Sequence, residues 1–199
     1  MFLLIWDKLA DKYDTLWVQK YSLAPTRKAV INEINDINPL IILDIGCGTG
    51  QLLNDIAKIN KNTHLFGIDK SEKMIEIAKT KNINAEFKCL NVSDLENTRK
   101  FDLITCLHSF PYYKDKQKVM DSIYNLLNNG GYCIFAQASI NNLYDKFSMW
   151  IIEKTAEKAE YLSKKDFSAL LSDFKIIKQY DIKEKWFMPT IALFMVQKI

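Results

Sequence analysis

LIILDIGCGTG, residues 40–50, decides how the rest of the chain is read. Four apolar residues, Leu40 to Leu43, run into Asp44, and three of the chain's six glycines then fall at positions 46, 48 and 50. A short unbroken apolar run ending in such a loop reads as a buried strand that turns into a helix. Glycine permits positive φ and lets another group come close to the backbone. A plain turn needs one such residue, so three in five positions point to a ligand. Open parallel sheets bind ligands at the carboxyl ends of their strands.

Working outward, strand and helix alternate. Residues 2–22 and 26–37 read as helices; in the first, Trp6, Leu9, Ala10, Tyr13, Leu16 and Trp17 recur as one apolar stripe. Leu40–Ile45 is the first strand, and a helix over about 51–59 follows the glycines. His64–Ile68, Ala85–Leu90, Phe101–Cys106 and Tyr132–Ala138 are the next strands. Ser71 caps a helix running to Lys79, and another helix covers about 115–128. Asn129-Gly130-Gly131 marks a turn. Helices are expected over about 142–160 and, capped by Ser163, over about 163–172. Phe174–Ile182 and Phe187–Lys198 are rich in β-branched and aromatic residues and read as a hairpin-like strand pair. The class is α/β: a doubly wound parallel sheet covered on both faces, with an antiparallel pair at one edge.

With 199 residues, 48% of them apolar and 26% charged, the chain reads as one compact domain with a sizeable core. A net charge of +3 gives no strong field toward nucleic acid or anionic lipid. Lys114, Lys116 and Lys118 have no interleaved aromatics and read as a solvated helix start, so no nucleic-acid partner is expected. Only Arg27 and Arg99 are arginines, which makes bidentate anion clamps scarce. Cys47, Cys89, Cys106 and Cys133 lack metal-ligand spacing and read as buried free thiols of a reducing cytoplasm. No apolar run is long enough for a signal peptide or a membrane span, so a cytoplasmic location is expected.

The loop does not match the dinucleotide fingerprint G-x-G-x-x-G, because position 51 is Gln51 and the third glycine is Gly50. Asp69 closes the second strand, where an acidic residue can accept hydrogen bonds from both hydroxyls of a ribose. At this point the chain resembles the class I S-adenosylmethionine-dependent methyltransferases of the small-molecule type. ILDIGCGTGQLL (42–53) is similar to their first motif and FGIDKSEKMIEIAK (66–79) to the second. FDLITCLHSFPYYKD (101–115) and LLNNGGYCIFA (126–136) resemble the fourth-strand motif and the turn into the fifth strand.

The resemblance implies a Rossmann-like seven-stranded sheet with its last strand antiparallel. It implies that the backbone around Asp44, Gly46, Cys47, Gly48 and Gly50 holds the methionine part of S-adenosylmethionine, and Asp69 its ribose. Lys70 and Met74 would flank the adenine, Asn91 beside Val92 (or Asp94, if the register slips by three) would meet its amino group, and Leu107 would line the site. LADKYD (9–14) resembles a segment that closes over the cofactor, with Tyr13 near the sulfonium. The chain then divides into an N-terminal helical lid (1–37), a cofactor-binding half (38–138) and helices and edge strands that shape an acceptor pocket (139–199). Asn91 and Asn129 depart from the family pattern, which has aspartate and proline there.

Methyl transfer from a sulfonium is an in-line displacement, so alignment and desolvation do most of the work. No catalytic dyad or metal is required. His108 follows the fourth strand and is the candidate general base; packing is the competing role. Tyr112, Tyr113, Trp150 and Trp186 are candidates for the acceptor pocket. SFPY (109–112) lacks the polar head and adjacent prolines of the D-P-P-Y motif, which argues against a base or protein-amide acceptor. The expected partner is a small-molecule methyl acceptor. An RNA or protein methyltransferase, a non-catalytic cofactor-binding subunit and, more weakly, an oxidoreductase stay open, as does the oligomeric state.

Overall fold

The computed structural model describes residues 5–81, 83–95, 99–140, 159–183 and 189–199. The expected helix over 142–160, with Trp150, and the segment holding Trp186 lie largely outside the described residues.

Seven strands form one sheet: β1 (Ile41–Ile45), β2 (His64–Asp69), β3 (Ala85–Cys89), β4 (Phe101–Leu107), β5 (Leu127–Ala138), β6 (Phe174–Ile182) and β7 (Ile191–Lys198). Their order is β3-β2-β1-β4-β5-β7-β6. The first five pair in parallel, and β7 is antiparallel to both β5 and β6. This is the Rossmann-like class I methyltransferase sheet that the resemblance implies. The edge strand of the antiparallel pair is β6, and β7 lies inside. The composition explains this arrangement. The first six residues of β7, IALFMV, are all buried, which requires cover on both faces. β6 carries exposed Lys175, Lys178, Gln179 and Asp181, which suits an edge.

The helices are α1 (Ile5–Tyr13), α2 (Ala24–Ile37), α3 (Gln51–Ile59), α4 (Glu72–Lys79), α5 (Lys116–Leu126) and α6 (Lys164–Ala169). On one face, Val30 and Ile34 of α2, Leu53 and Ile56 of α3 and Ile75 of α4 pack on Ile42, Leu103 and Ile134. On the other, Ile123 of α5 and Phe167 of α6 pack with Phe110, Phe135 and Phe194. Ser71, Asp115 and Ser163 cap their helices by accepting from Met74, Lys118 and Asp166 amides at 3.0–3.1 Å.

Four local expectations differ from the structure. The helix over 2–22 is broken at Asp14–Leu16, where Thr15 turns its amide and hydroxyl onto the Lys12 carbonyl. Helix resumes in a π-helical turn over Gln19–Leu23 that leads directly into α2, beside Pro25, which has no amide to donate. The turn at Asn129–Gly131 is a register offset inside β5, with Gly130 at φ +74° between the Phe101↔Leu127 and Leu103↔Tyr132 pairs. Lys116 is buried, its ammonium bound to the Tyr113 carbonyl at 3.1 Å and to Glu160 at 2.6 Å, so it is not a solvated helix start. Cys89 is exposed on the edge strand β3, whereas Cys47, Cys106 and Cys133 are buried. No helix among the described residues is long and apolar enough to cross a membrane.

Candidate functional site

The strand order reverses between β1 and β4, and the loops leaving these two strands meet there. Gly46, Gly48 and Gly50 all have positive φ, +69°, +52° and +73°. The loop is stitched to β2: the Gly46 and Cys47 amides donate to the Ile68 carbonyl at 2.8 and 3.0 Å. From the β4 side, the Ser109 hydroxyl donates to the Ile45 carbonyl at 2.9 Å. A Cβ on Gly46 would lie 2.3 Å from the Ser109 Cβ, and one on Gly50 would press on Phe87 and Ala78 at 3.0–3.2 Å. These two glycines therefore let neighbouring protein pack closely. Gly48 differs: the first atom a Cβ would meet is Tyr13 Cε1, at 3.6 Å. Gly48 borders open space.

That space is a cleft of about 340 Å³, lined among others by Gly46, Gly48, Asp69, Lys70, Met74, Leu107, His108, Tyr112 and Tyr113. A smaller cavity of about 60 Å³ adjoins it, with Asp44, Cys47, Thr49 and Arg27 in its wall together with Tyr13, Leu107 and His108. The larger volume is in the range of small-molecule sites. Ten sequence candidates thus meet at the larger cleft, Tyr13 included; Tyr13, Gly46, Gly48, Leu107 and His108 line both cavities, and Asp44 and Cys47 only the smaller one. Gly50 and Val92 line neither; Val92 is fully packed in the core. Asn91 is outside both linings too, but its Oδ1 is buried and accepts no hydrogen bond among the described residues. Trp150 and Trp186 lie outside the described residues.

Two carboxylates form the floor. Asp69 Oδ2 accepts from the Gly48 amide and Oδ1 from the Ser71 amide, both at 2.9 Å. Burial raises the Asp69 pKa against the pull of these amides. Asp44 is more deeply set; burial lifts it to about 7, although the Thr105 hydroxyl donates to it at 2.7 Å. Two carboxylates that burial makes reluctant to ionise favour a cationic ligand, which would stabilise their charged forms.

The roof is α1 and the segment after it. Trp6, Leu9, Tyr13, Leu16 and Trp17 of the apolar stripe line the larger cleft, whereas Ala10 is buried elsewhere. Acidic residues on this segment hold it down: Asp7 to the Ser71 hydroxyl, Asp11 to Lys73 at 2.6 Å, and Asp14 to Thr49 at 2.5 Å and Lys81 at 3.0 Å. Tyr13 is pushed up to about 12, mainly by burial and then by Asp69, so it stays a neutral phenol.

Sequence reading missed Arg27 and Thr26. Arg27 donates to Asp55 at 3.2 Å and to Gln19 at 3.1 Å and lines the smaller cavity. Its scarcity as one of two arginines was the available signal. Thr26 carried none; it matters only because α2 brings it to His108, with 3.1 Å between Oγ1 and Nε2.

Residues 38–185 match a family model described as a methyltransferase domain. The demethylmenaquinone methyltransferase of Thermotoga maritima is 30% identical over 133 residues, 64% of this chain and 57% of that one. A ubiquinone biosynthesis O-methyltransferase of Coxiella burnetii is 28% identical over 122 residues, 59% of this chain and 51% of that one. This chain spans about half the length of such relatives. Among solved structures, the plantazolicin methyltransferase BpumL with SAH superposes with a TM-score of 0.75 at 18% identity, covering 96% of this chain and 90% of that one. The magnesium protoporphyrin IX methyltransferase of Synechocystis PCC 6803, also with SAH, gives 0.74 at 18% identity and 98% coverage of both. At that identity the likeness is one of fold.

Proposed function

Because the chain belongs to the methyltransferase domain family, we propose that it moves a methyl group from S-adenosylmethionine to a small-molecule acceptor, leaving S-adenosylhomocysteine. One observation carries the reading: Gly48, at φ +52°, opens on the cleft while its amide is held by Asp69, the acidic residue that ends β2. A Cβ there would touch only Tyr13 Cε1, at an ordinary 3.6 Å, and would otherwise enter the ligand's space. The orphaned Asn91 Oδ1 is a buried acceptor suited to an adenine amino group, and the two carboxylates suit a cation.

In this reading the backbone at Gly46 to Gly48 and the Asp44 side chain hold the methionine part, and Asp69 uses its remaining lone pairs for the ribose. Lys70 and Met74 flank the adenine. The Arg27 guanidinium, beside the smaller cavity, is placed for the carboxylate of the methionine part. The bound cofactor supplies an activated methyl on a sulfonium leaving group. The chain orients, excludes water and surrounds the sulfonium with aromatic faces, of which Tyr13 is one. Residues 5–17 act as a cover held by Asp7, Asp11 and Asp14.

The relatives are named for a demethylmenaquinone and for ubiquinone biosynthesis, and a structural neighbour for magnesium protoporphyrin IX, which supports a small-molecule acceptor. The test is calorimetric titration with S-adenosylhomocysteine and NAD, followed by mass spectrometry of an extract incubated with deuterated-methyl donor. Binding of the first ligand and a mass-shifted product are expected. Tighter binding of NAD would reject the cofactor.

A further inference from the structure

His108 is one of only two non-glycine residues with positive φ among the described residues, at +58°. Such a conformation is costly for a side chain with a Cβ and persists where surroundings impose it. Here its amide donates to the Ala136 carbonyl at 2.7 Å, and its Nε2 lies 3.1 Å from Thr26 Oγ1. Thr26 is fully buried and donates its hydroxyl hydrogen to the Ser22 carbonyl at 2.8 Å. A carbonyl cannot donate and a hydroxyl has one hydrogen. Thr26 can therefore only accept from His108, and Nε2 must carry the ring proton. Nδ1 is left with a free lone pair and no hydrogen bond among the described residues, on a side chain that lines both cavities.

The surroundings of that lone pair differ from side to side. The charged residues lining the larger cleft, Asp69 and Lys70, both sit at the end of β2. The β4 and β5 side presents Pro111, Tyr112, Tyr161 and Ile191, and the roof adds Trp6 and Trp17. Trp6 stands edge-on to Tyr112 at 5.2 Å between ring centroids. Among the described residues this half of the cleft carries no ionised side chain, and its imidazole is neutral, because burial and then nearby Arg27 push His108 down to about 4.

We propose that the acceptor is an uncharged aromatic molecule bearing a hydroxyl, and that His108, set as the Nε2–H tautomer by Thr26, takes that hydroxyl's proton at Nδ1. The proposal rests on the methyl-transfer reading above. The hydroxyl oxygen forms its bond to the methyl carbon as the carbon–sulfur bond breaks with its electron pair going to sulfur. The O–H proton passes to Nδ1, and the positive charge leaves with it through the open cleft. A weak base suffices, because an oxygen that has gained a methyl and still holds its proton is a strong acid. Thr26 is a positioning residue, since it touches only the imidazole.

The test uses the full chain loaded with S-adenosylhomocysteine. Nitrogen NMR of the imidazole should read Nε2 as protonated and Nδ1 as bare at neutral pH. Calorimetry with 2-naphthol, 2-methoxynaphthalene and 2-naphthoate as probes should rank the naphthol about three- to tenfold tighter than its methyl ether, the gain of one hydrogen bond. The naphthoate should bind weakest. Thr26→Val should erase the naphthol preference, and Thr26→Ser, which keeps the hydroxyl, should restore it. An Nδ1–H tautomer in the wild type overturns the proposal whether or not the variants fold. So do equal affinities for naphthol and its ether, a preference for naphthoate, or no binding of any probe. If S-adenosylhomocysteine itself fails to bind, the methyl-transfer reading falls first and this proposal with it.

Discussion

Substituting Gly48 by alanine separates the ligand-facing role of the loop from its structural one. A Cβ at Gly48 meets only Tyr13 Cε1, at an ordinary 3.6 Å, so the folding cost is that of a left-handed backbone. That cost is roughly 1–2 kcal/mol for an L side chain. A chain of this size loses about 2–4 °C of melting temperature per kcal/mol, so Gly48→Ala should melt roughly 2–8 °C lower. Gly46→Ala carries the same backbone cost, and its Cβ would also stand 2.3 Å from Ser109 Cβ. Ser109 cannot step aside freely, because its hydroxyl donates to Ile45. Overpacking adds about 1–3 kcal/mol, for roughly 2–5 kcal/mol in all. The assay is paired: thermal melts without ligand, and calorimetric titration with S-adenosylhomocysteine. Gly48→Ala should keep most of its stability yet lose at least about tenfold in affinity, or about 1.4 kcal/mol. Gly46→Ala should lose stability first, and Ser109→Gly in the same chain should return part of it. Wild-type affinity in Gly48→Ala would refute the reasoning, since an empty space that tolerates a methyl group is not where the ligand lies.

Asp69→Asn should weaken S-adenosylhomocysteine binding by about ten- to a hundredfold, the loss of a charge-assisted hydrogen bond. Asp69→Ala should in addition lower the melting temperature, because Asp69 anchors the Gly48 and Ser71 amides; equal melting of the two variants would contradict that anchoring. Asp44 is lifted by burial from 3.8 to about 7, so between these values the native chain holds a proton that the unfolded chain has lost. Its contribution therefore falls as pH rises from about 4 to about 7 and is flat above. Asp44→Asn, which still accepts from Thr105, should be more stable than the wild type at about pH 8, with the gap closing near pH 4; urea melts at several pH values measure it. Asp14→Ala removes the contacts to Thr49 and Lys81 and should speed hydrogen exchange in residues 5–13, with S-adenosylhomocysteine restoring protection. Exchange that is slow in both chains and indifferent to ligand would make α1 a core helix instead.

What the chain states by itself is whatever depends on residues near one another in sequence. The apolar run before Asp44, the glycines at 46, 48 and 50, and the caps at Ser71 and Ser163 each report a local backbone need, and the structure meets them where expected. Phe174–Ile182 and Phe187–Lys198 likewise announce a strand pair at an edge of the sheet, but that β7 is the inner member and β6 the outer is seen only in the fold. What only the tertiary structure decides is which side chains meet across long separations. Lys116 looks like a solvated lysine until Glu160 and the Tyr113 carbonyl close on it. Gly46, Gly48 and Gly50 look alike in sequence, yet Ser109 and Phe87 make the outer two packing residues and leave the middle one facing the cleft. Thr26 is an ordinary helical threonine whose one hydroxyl hydrogen, taken by Ser22, dictates the tautomer of a histidine 82 positions away. Periodicity and composition report burial and backbone shape, which neighbours along the chain share. Hydrogen-bond partners and steric contacts are set by distances of a few ångströms in space, which only the folded chain defines.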